Sequence, residues 1–309
     1  MSTSNTERST LRQLSEEVAG IAEIAGRSVV GIHARPRTPS SGVHWRPGII
    51  VTASHTLKQE ESIRVTLPDG RDLSATLAGR DRGTDLAVLK AEISGLPPVE
   101  VGDASQVRAG HIVVALGRRE AGESGPRVGL GWIRALGGAW QTWRGARIDQ
   151  WVRVDVPIFM GFSGGPLLSA GGQVLGINTT GLVRGAALTL PATTIARAVA
   201  EILEKGYVTK GYIGLGLQPV RLPESLREKQ SLRNQSGLLV VSVEPEGPAE
   251  KSGAMLGDVL TAVGGKPLEN LESLQAALVG ERAGSQLKFT VIRAGSPIEL
   301  SITAGEQPR

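Results

Sequence analysis

The sequence of 309 residues contains no cysteine, which excludes a disulfide framework, a cysteine nucleophile and thiolate metal sites. Aromatic residues make up only 3% of the chain and glycine reaches 41 residues, a composition typical of short strands joined by turns. No run approaches the ~20 apolar residues that cross a bilayer, so no membrane span is expected. The polar start MSTSNTERST lacks the apolar core of a secretory signal, which predicts a cytoplasmic location, or a periplasmic one for a mature or trimmed form.

The chain also lacks a strong excess of one charge. It carries 34 Lys and Arg against 30 Asp and Glu, a formal net charge of +4, and the basic residues are scattered along the sequence. Nucleic acid is therefore not expected as a partner. No nucleotide-binding motif is visible, and neither a cofactor nor a metal ion is expected.

The length of the chain predicts two domains, because 309 residues exceed what one hydrophobic core usually serves. Residues 1–10 are rich in Ser and Thr and are predicted to be disordered, and residues 306–309 to form a tail. Residues 11–207 contain mostly short β-rich segments, which indicates a barrel or sandwich that ends with the helix TTIARAVAEILEKG. Residues 208–305 combine strands with two short helices, which indicates a small α+β domain.

The stretch GFSGG places Ser163 between glycines, as in the nucleophile elbow of α/β-hydrolases and in the nucleophile loop of trypsin-like proteases. A serine nucleophile needs a base to take its proton and an acid to orient that base. All four histidines precede Ser163, which excludes the hydrolase order of Ser, acid and His. The trypsin-like order of His, Asp and Ser is met by His55 in GIIVTASHTL and Asp85 in DRGTDLAVLK, with Asp81 as the rival acid.

Three segments, SGVHWRPGIIVTASH, RGTDLAVLK and GFSGGPLLSAGGQVLGINT, resemble the His, Asp and Ser motifs of the HtrA (DegP-type) serine proteases. The resemblance covers roughly residues 11–305 and implies a mainly β chain, with a two-barrel chymotrypsin-like protease domain followed by a small α+β PDZ domain. It implies an ATP-independent serine endopeptidase that cleaves unfolded or damaged proteins. His55 is then the general base, Asp85 orients it, and Ser163 is the nucleophile.

The resemblance also implies an oxyanion hole made by the backbone N–H groups of Gly161 and Ser163. The residue before the serine is Phe162, where relatives carry Asn or Asp, so the oxyanion loop is predicted to be apolar and ordered by packing or by a ligand. This departure leaves a second hypothesis open, a catalytically silent protease fold that acts as a chaperone or peptide-binding scaffold.

By position in the family, Pro157 is predicted to form the floor of an uncharged S1 pocket, which favours cleavage after small aliphatic residues. The predicted walls of this pocket are Ile177, Asn178 and Thr179. The resemblance further implies a homotrimer built through N-terminal aromatic residues. None precedes Trp45 here, so Leu and Ile contacts would have to replace them.

The segment KGYIGLGLQPV resembles the carboxylate-binding loop and first groove strand of PDZ domains, where successive backbone N–H groups bind a terminal carboxylate. Ile213, Gly214 and Leu215 are predicted to supply these groups, and Leu274 and Leu278 to line the groove. Unfolded polypeptides and hydrophobic C-terminal peptides are the predicted partners. The alternatives are a phosphate-binding loop, which lacks the Lys-Ser pair of the P-loop spacing here, and a lipid-binding module.

Overall fold

Short antiparallel strands dominate the structure, because brief apolar runs separated by Gly, Pro and Asp favour strands over helices. This computed structural model describes residues 9–36, 39–118, 125–142, 146–156, 158, 161–183, 186–208, 211–278 and 284–306. Most of these residues form two compact units. The first unit contains the residues up to Thr142 and those from Ile148 to Val208, and the second contains the residues after Val208.

Six strands close into a first barrel: β1 (Val29–His33), β2 (Ser40–Arg46), β3 (Ile49–Ala53), β4 (Ile63–Thr66), β5 (Asp72–Asp81) and β6 (Leu86–Ala91). Their order around the barrel is β1-β2-β3-β6-β5-β4. Fully buried Ile32, Ile50 and Leu89 lie in its core. The pairing of Ala53 with Leu86 places the end of β3 directly beside the start of β6.

A second barrel follows in the same unit. Its part of the chain contains β7 (Ile112–Gly117), β8 (Arg127–Gly137), the short β9 (Trp140–Gln141) and β10 (Arg147–Ile148), β11 (Trp151–Asp155), β12 (Pro166–Ser169), β13 (Val174–Val183) and β14 (Ala186–Pro191). The barrel closes in the order β11-β14-β13-β12-β7-β8. The prediction of a two-barrel, mainly β protease fold is thereby confirmed.

In the part of the chain that the structure describes, two α-helices accompany the barrels, α1 (Thr10–Gly26) and α2 (Ala192–Lys205). Helix α2 ends at Gly206, whose φ of 84° is the left-handed conformation that stops helices. Its buried apolar face includes Ile195 and Ile202, which belong to one core cluster with residues of both barrels. Among the described helices, none is long and apolar enough to cross a membrane.

The second unit is a small α+β domain. Its elements are β15 (Gly211–Tyr212), β16 (Leu215–Arg221), α3 (Glu224–Lys229), β17 (Ser236–Val243), α4 (Pro248–Lys251), β18 (Val259–Val263), β19 (Lys266–Pro267), α5 (Leu271–Leu278), β20 (Gln286–Arg293), β21 (Ser296–Thr303) and β22 (Gly305–Glu306). The main sheet has the order β16-β17-β18-β20-β21, with β19 beside β18. Strand β16 therefore lies at an edge of this sheet, and among the described strands it pairs with β17 only.

Candidate active site

The first barrel brings His55 and Asp85 together at the adjoining ends of β3 and β6. His55 lies in the helical turn Ser54–Thr56 that follows β3, and Asp85 immediately precedes β6. His55 Nδ1 donates a hydrogen bond to Asp85 Oδ2 at 2.7 Å, and the His55 backbone N–H donates to Oδ1 at 2.7 Å. Because Nδ1 carries the proton of the first bond, the other ring nitrogen, Nε2, is free to act as a base.

Asp85 is the most tightly held residue of the site. Its backbone adopts a left-handed φ of 60°, which residues other than glycine seldom do and which clusters at functional positions. Its side chain is 1% exposed, and Oδ2 also accepts a hydrogen bond from the Thr179 hydroxyl. The Asp85 carbonyl oxygen accepts from the Ser54 N–H at 2.9 Å. This buried carboxylate is therefore fixed before any substrate binds.

The rival acid, Asp81, is occupied by its own turn. Its carboxylate accepts hydrogen bonds from the backbone N–H groups of Gly83 and Thr84 at 2.8 and 3.1 Å. His44, a second histidine of the same barrel, donates from Nδ1 to the Pro97 carbonyl at 3.1 Å. Burial lowers the pKa of His44, which keeps this ring neutral. The structure thus places Asp85, and not Asp81, against His55.

The serine turn GFSGG leads into β12 of the second barrel. The Gly164 N–H donates to the Asn178 carbonyl at 2.8 Å, which ties the turn to β13. Gly164 has a φ of 88°, and a Cβ at this position would overlap the Ser41 carbonyl oxygen. The turn therefore requires glycine directly after Ser163.

Strand β13 passes both halves of the site. Thr180 Oγ1 lies 3.2 Å from Ser163 Oγ, and among the described residues this is the hydrogen bond of the serine hydroxyl, with none to His55. At the next position, a Cβ on Gly181 would lie 2.5 Å from Asp85 Oδ2 and 2.7 Å from His55 Nδ1. The hydrogen-bonded pair of His55 and Asp85 therefore fits only because residue 181 has no side chain.

The predicted oxyanion donors are the backbone N–H groups of Gly161 and Ser163, and no hydrogen bond between described residues uses either group. Ser41 of β2 holds the carbonyl groups of the same two residues. Its hydroxyl donates to the Gly161 oxygen at 2.6 Å and accepts from the Arg118 N–H at 2.6 Å, and its own N–H donates to the Ser163 oxygen at 3.1 Å. Sequence reasoning missed Ser41, because nothing in the SSG stretch distinguishes it from an ordinary strand residue.

Phe162 orders the serine turn by packing. Its side chain is 3% exposed and belongs to the core of the second barrel together with Val154 and Leu167. Gly117 lies against the ring, and a Cβ there would be 3.2 Å from its nearest carbons. The apolar residue before Ser163 is thus an anchor in the barrel core.

The predicted S1 walls are three consecutive residues of β13, and all three are buried. Pro157 lies outside the described residues. Ile177 is fully buried in the core, Asn178 is fully buried with its amide donating to the Pro166 carbonyl at 3.1 Å, and Thr179 hydrogen-bonds Asp85. A separate cavity beside the serine turn has a volume of about 360 Å³ and is lined by Arg134, Arg153, Val154, Val156, Ile158, Thr180 and Ala187.

The predicted peptide-binding loop precedes the edge strand β16. Gly214 has a φ of 74°, and among the described residues no hydrogen bond uses the N–H groups of Ile213 or Gly214. Leu215 is the first residue of β16. Leu274 is buried in the core of the second unit, and Leu278 is half-buried against that core. Free N–H groups beside an open sheet edge are what binding of a peptide terminus requires.

Comparisons with known proteins divide the chain into a protease part and a PDZ part, in agreement with the two compact units of the structure. Residues 40–177 match the family described as trypsin-like peptidase domain, and residues 211–304 match the PDZ domain. A probable periplasmic serine endoprotease DegP-like from Brucella suis biovar 1 is 33% identical over 284 residues, which are 89% of this chain and 54% of that protein. The protein of the same description from Chlamydia trachomatis serovar D is 32% identical over 266 residues, 84% of this chain and 52% of that protein.

Solved structures agree with these relatives. The HtrA-type protease AlgW with decapeptide is 25% identical with a TM-score of 0.72, covering 94% of this chain and 99% of that one. The serine endoprotease from Yersinia pestis is 28% identical with a TM-score of 0.70, covering 94% of this chain and 98% of that one.

The chain spans about half the length of the curated relatives that it matches. The expectation of a cytoplasmic location is wrong, because these relatives are named periplasmic enzymes. That expectation rested on a missing apolar stretch, and the lack of one sequence feature does not determine a compartment. The trypsin-like peptidase domain, the PDZ domain after it and the shared fold lead to one conclusion: this chain belongs to the HtrA (DegP-like) family of serine proteases.

Proposed function

We propose that this chain is an ATP-independent serine endopeptidase that cleaves unfolded or damaged polypeptides, with Ser163, His55 and Asp85 as its catalytic residues. One observation carries the proposal. The consecutive residues Thr179 and Thr180 of β13 hydrogen-bond Asp85 and Ser163, while Asp85 holds His55. The three catalytic side chains therefore belong to one site.

The reaction begins when the Ser163 hydroxyl leaves Thr180 and turns toward His55 Nε2. Ser163 Oγ attacks the scissile carbonyl carbon, and its proton passes to Nε2. Asp85 stabilises the resulting imidazolium ion, and the N–H groups of Gly161 and Ser163 bind the negatively charged oxygen. His55 then protonates the leaving amine, and water hydrolyses the acyl-enzyme by the same steps.

We assign residues 11–207 to the protease domain and residues 208–305 to the PDZ domain. The free N–H groups of Ile213 and Gly214 and the edge position of β16 support the binding of a hydrophobic C-terminal peptide as an added strand. The names of the relatives support a periplasmic location for this chain. Assembly into a homotrimer stays a prediction.

The preferred residue before the cleaved bond is small and aliphatic. Support comes from the sequence position of Pro157, six residues before Ser163, which offers no charge to select Arg or Lys. An uncharged pocket floor favours an apolar side chain, because burial contributes about 25 cal/mol for each Å² removed from water.

The decisive experiment is cleavage of β-casein by the chain and by its Ser163→Ala variant, each with and without a hydrophobic C-terminal peptide. We expect cleavage by the unaltered chain and a loss of at least ~10⁴-fold in the variant. Cleavage that is equal in both proteins would contradict the proposal. Absence of cleavage under every condition, with casein still bound, would favour a silent scaffold.

A further inference from the structure

Two arginines line the cavity beside the serine turn. Arg134 of β8 and Arg153 of β11 share this space of about 360 Å³ with the apolar side chains of Val156 and Ile158. The volume lies in the lower part of the range for ligand pockets. A cavity with apolar walls and two cations suits a ligand that is both aliphatic and anionic.

A register shift between strands β8 and β11 lies where the two arginines line the cavity. Val154 pairs with Ile133 and Arg153 pairs with Ala135, so the register shifts between residues 153 and 154. Arg134 therefore lies opposite this shift, and such bulges re-aim side chains beside active sites. The Arg153 guanidinium lies 6.0 Å from the centre of the Trp151 ring, which favours one orientation of its long side chain.

Neither arginine is neutralised within the described part of the chain. No carboxylate lies within 4.0 Å of Arg134 or Arg153, and Asp155, the acid on the same strand, forms no ion pair with either. Arg134 and Arg153 are both exposed and line the same cavity, where their like charges repel each other. An incoming carboxylate would relieve this repulsion and accept the forked hydrogen bonds that guanidinium offers.

The cavity also lies within reach of the nucleophile. Thr180 lines it, and the Thr180 hydroxyl is 3.2 Å from Ser163 Oγ. An extended peptide advances by about 3.3 Å per residue. A substrate whose scissile carbonyl is at Ser163 therefore places a side chain close to the bond in or beside this cavity.

We propose that Arg134 and Arg153 form a subsite for an acidic substrate residue located within two residues of the cleaved bond. The inference rests on the proposed endopeptidase function and adds a second determinant to the small aliphatic residue at the bond itself. Glutamate fits better than aspartate, because its longer stem can lie along Val156 and Ile158 while the carboxylate reaches the guanidinium groups. Substrates are thereby selected by charge near an apolar cleavage position.

The test uses peptides with one central valine, in which a single glutamate or its isosteric glutamine is scanned from three residues before the bond to two after it. The readout is the ratio of kcat/KM for each Glu peptide to that of its Gln partner. We expect a ratio of about ten at one or two positions, since a hydrogen bond to a charged group contributes that order of discrimination. Arg134→Gln with Arg153→Gln should bring the ratio to about one, and Arg153→Glu should invert it. Arg108→Gln removes an exposed charge outside the cavity and should leave the ratio unchanged.

Binding of the same peptides to the Ser163→Ala variant, followed by fluorescence anisotropy, separates this proposal from the proposed function. Cleavage of casein and of the peptides with a Glu-to-Gln ratio near one at every position overturns the subsite and leaves the protease intact. Absence of all cleavage with tighter binding of Glu peptides that depends on the two arginines supports the subsite without the protease. Equal binding of both peptide series without cleavage overturns both.

Discussion

The two halves of the candidate site are built to different degrees. In the first barrel, the Asp85 carboxylate accepts hydrogen bonds from the His55 ring, the His55 backbone and Thr179, and these bonds hold the proposed general base in position. In the second barrel, the Ser163 hydroxyl is bonded to Thr180 and not to His55. The pair of His55 and Asp85 is complete without substrate, whereas Ser163, the proposed nucleophile, still has to change its hydrogen-bond partner.

This difference shows where the activity can be controlled. A buried carboxylate with all its hydrogen bonds made has little freedom to move, because each lost partner would leave an unsatisfied polar group. The serine turn depends on the packing of Phe162 and on the hydroxyl of Ser41, which lie in different barrels. A substrate or a regulatory ligand therefore acts more easily on the turn than on the acid–base pair.

Gly181→Ala should disrupt the hydrogen-bonded pair of His55 and Asp85 and produce the largest loss of activity. The added Cβ would lie 2.5 Å from Asp85 Oδ2 and 2.7 Å from His55 Nδ1, so the pair has to separate. We expect kcat/KM to fall by about 10³–10⁴-fold, the loss that follows when the base is misoriented. The downfield proton resonance of His55 Nδ1 should disappear in parallel. Gly138→Ala, where a Cβ meets nothing within 4 Å, is the matched control, and equal losses in both variants would refute this account.

Ser41→Ala should loosen the serine turn and produce an intermediate loss of activity. Without the hydroxyl, the Gly161 carbonyl and the Arg118 N–H both lose their 2.6 Å partner. We expect kcat to fall by about ten- to a hundredfold with KM nearly unchanged, because the oxyanion donors act mainly in the transition state.

Ser28→Ala provides the control for buried serine. Its hydroxyl donates to the Pro97 carbonyl at 2.9 Å, and neither residue belongs to the serine turn. The two variants should lose similar free energy of unfolding, about 1–3 kcal/mol, but only Ser41→Ala should lower kcat. A rise in KM with unchanged kcat in Ser41→Ala would show that Ser41 does not position the turn.

The contrast also explains which features the sequence could predict. The order of His55, Asp85 and Ser163 excluded the hydrolase fold, and the motifs around them indicated two barrels. Ser41 was not predictable, because its contact with Gly161 joins residues 120 positions apart in different barrels. The S1 walls stay a prediction, since the faces of β13 depend on its pairing with β12 and β14, and Ile177 and Asn178 are both fully buried.

Thr180→Val should give the smallest change in activity, and it tests most directly the hydrogen bond that holds the Ser163 hydroxyl. Valine keeps the shape of threonine and removes the hydroxyl that competes with His55 for Ser163. The bond between two neutral hydroxyl groups contributes only about 0.5–1.5 kcal/mol, so its loss should raise the rate of Ser163 labelling by a fluorophosphonate about two- to fivefold. Added hydrophobic C-terminal peptide should accelerate the variant less than the unaltered chain, because part of the change of partner has already occurred. A tenfold fall in labelling would instead assign the Thr180 hydroxyl a supporting role in the attack itself.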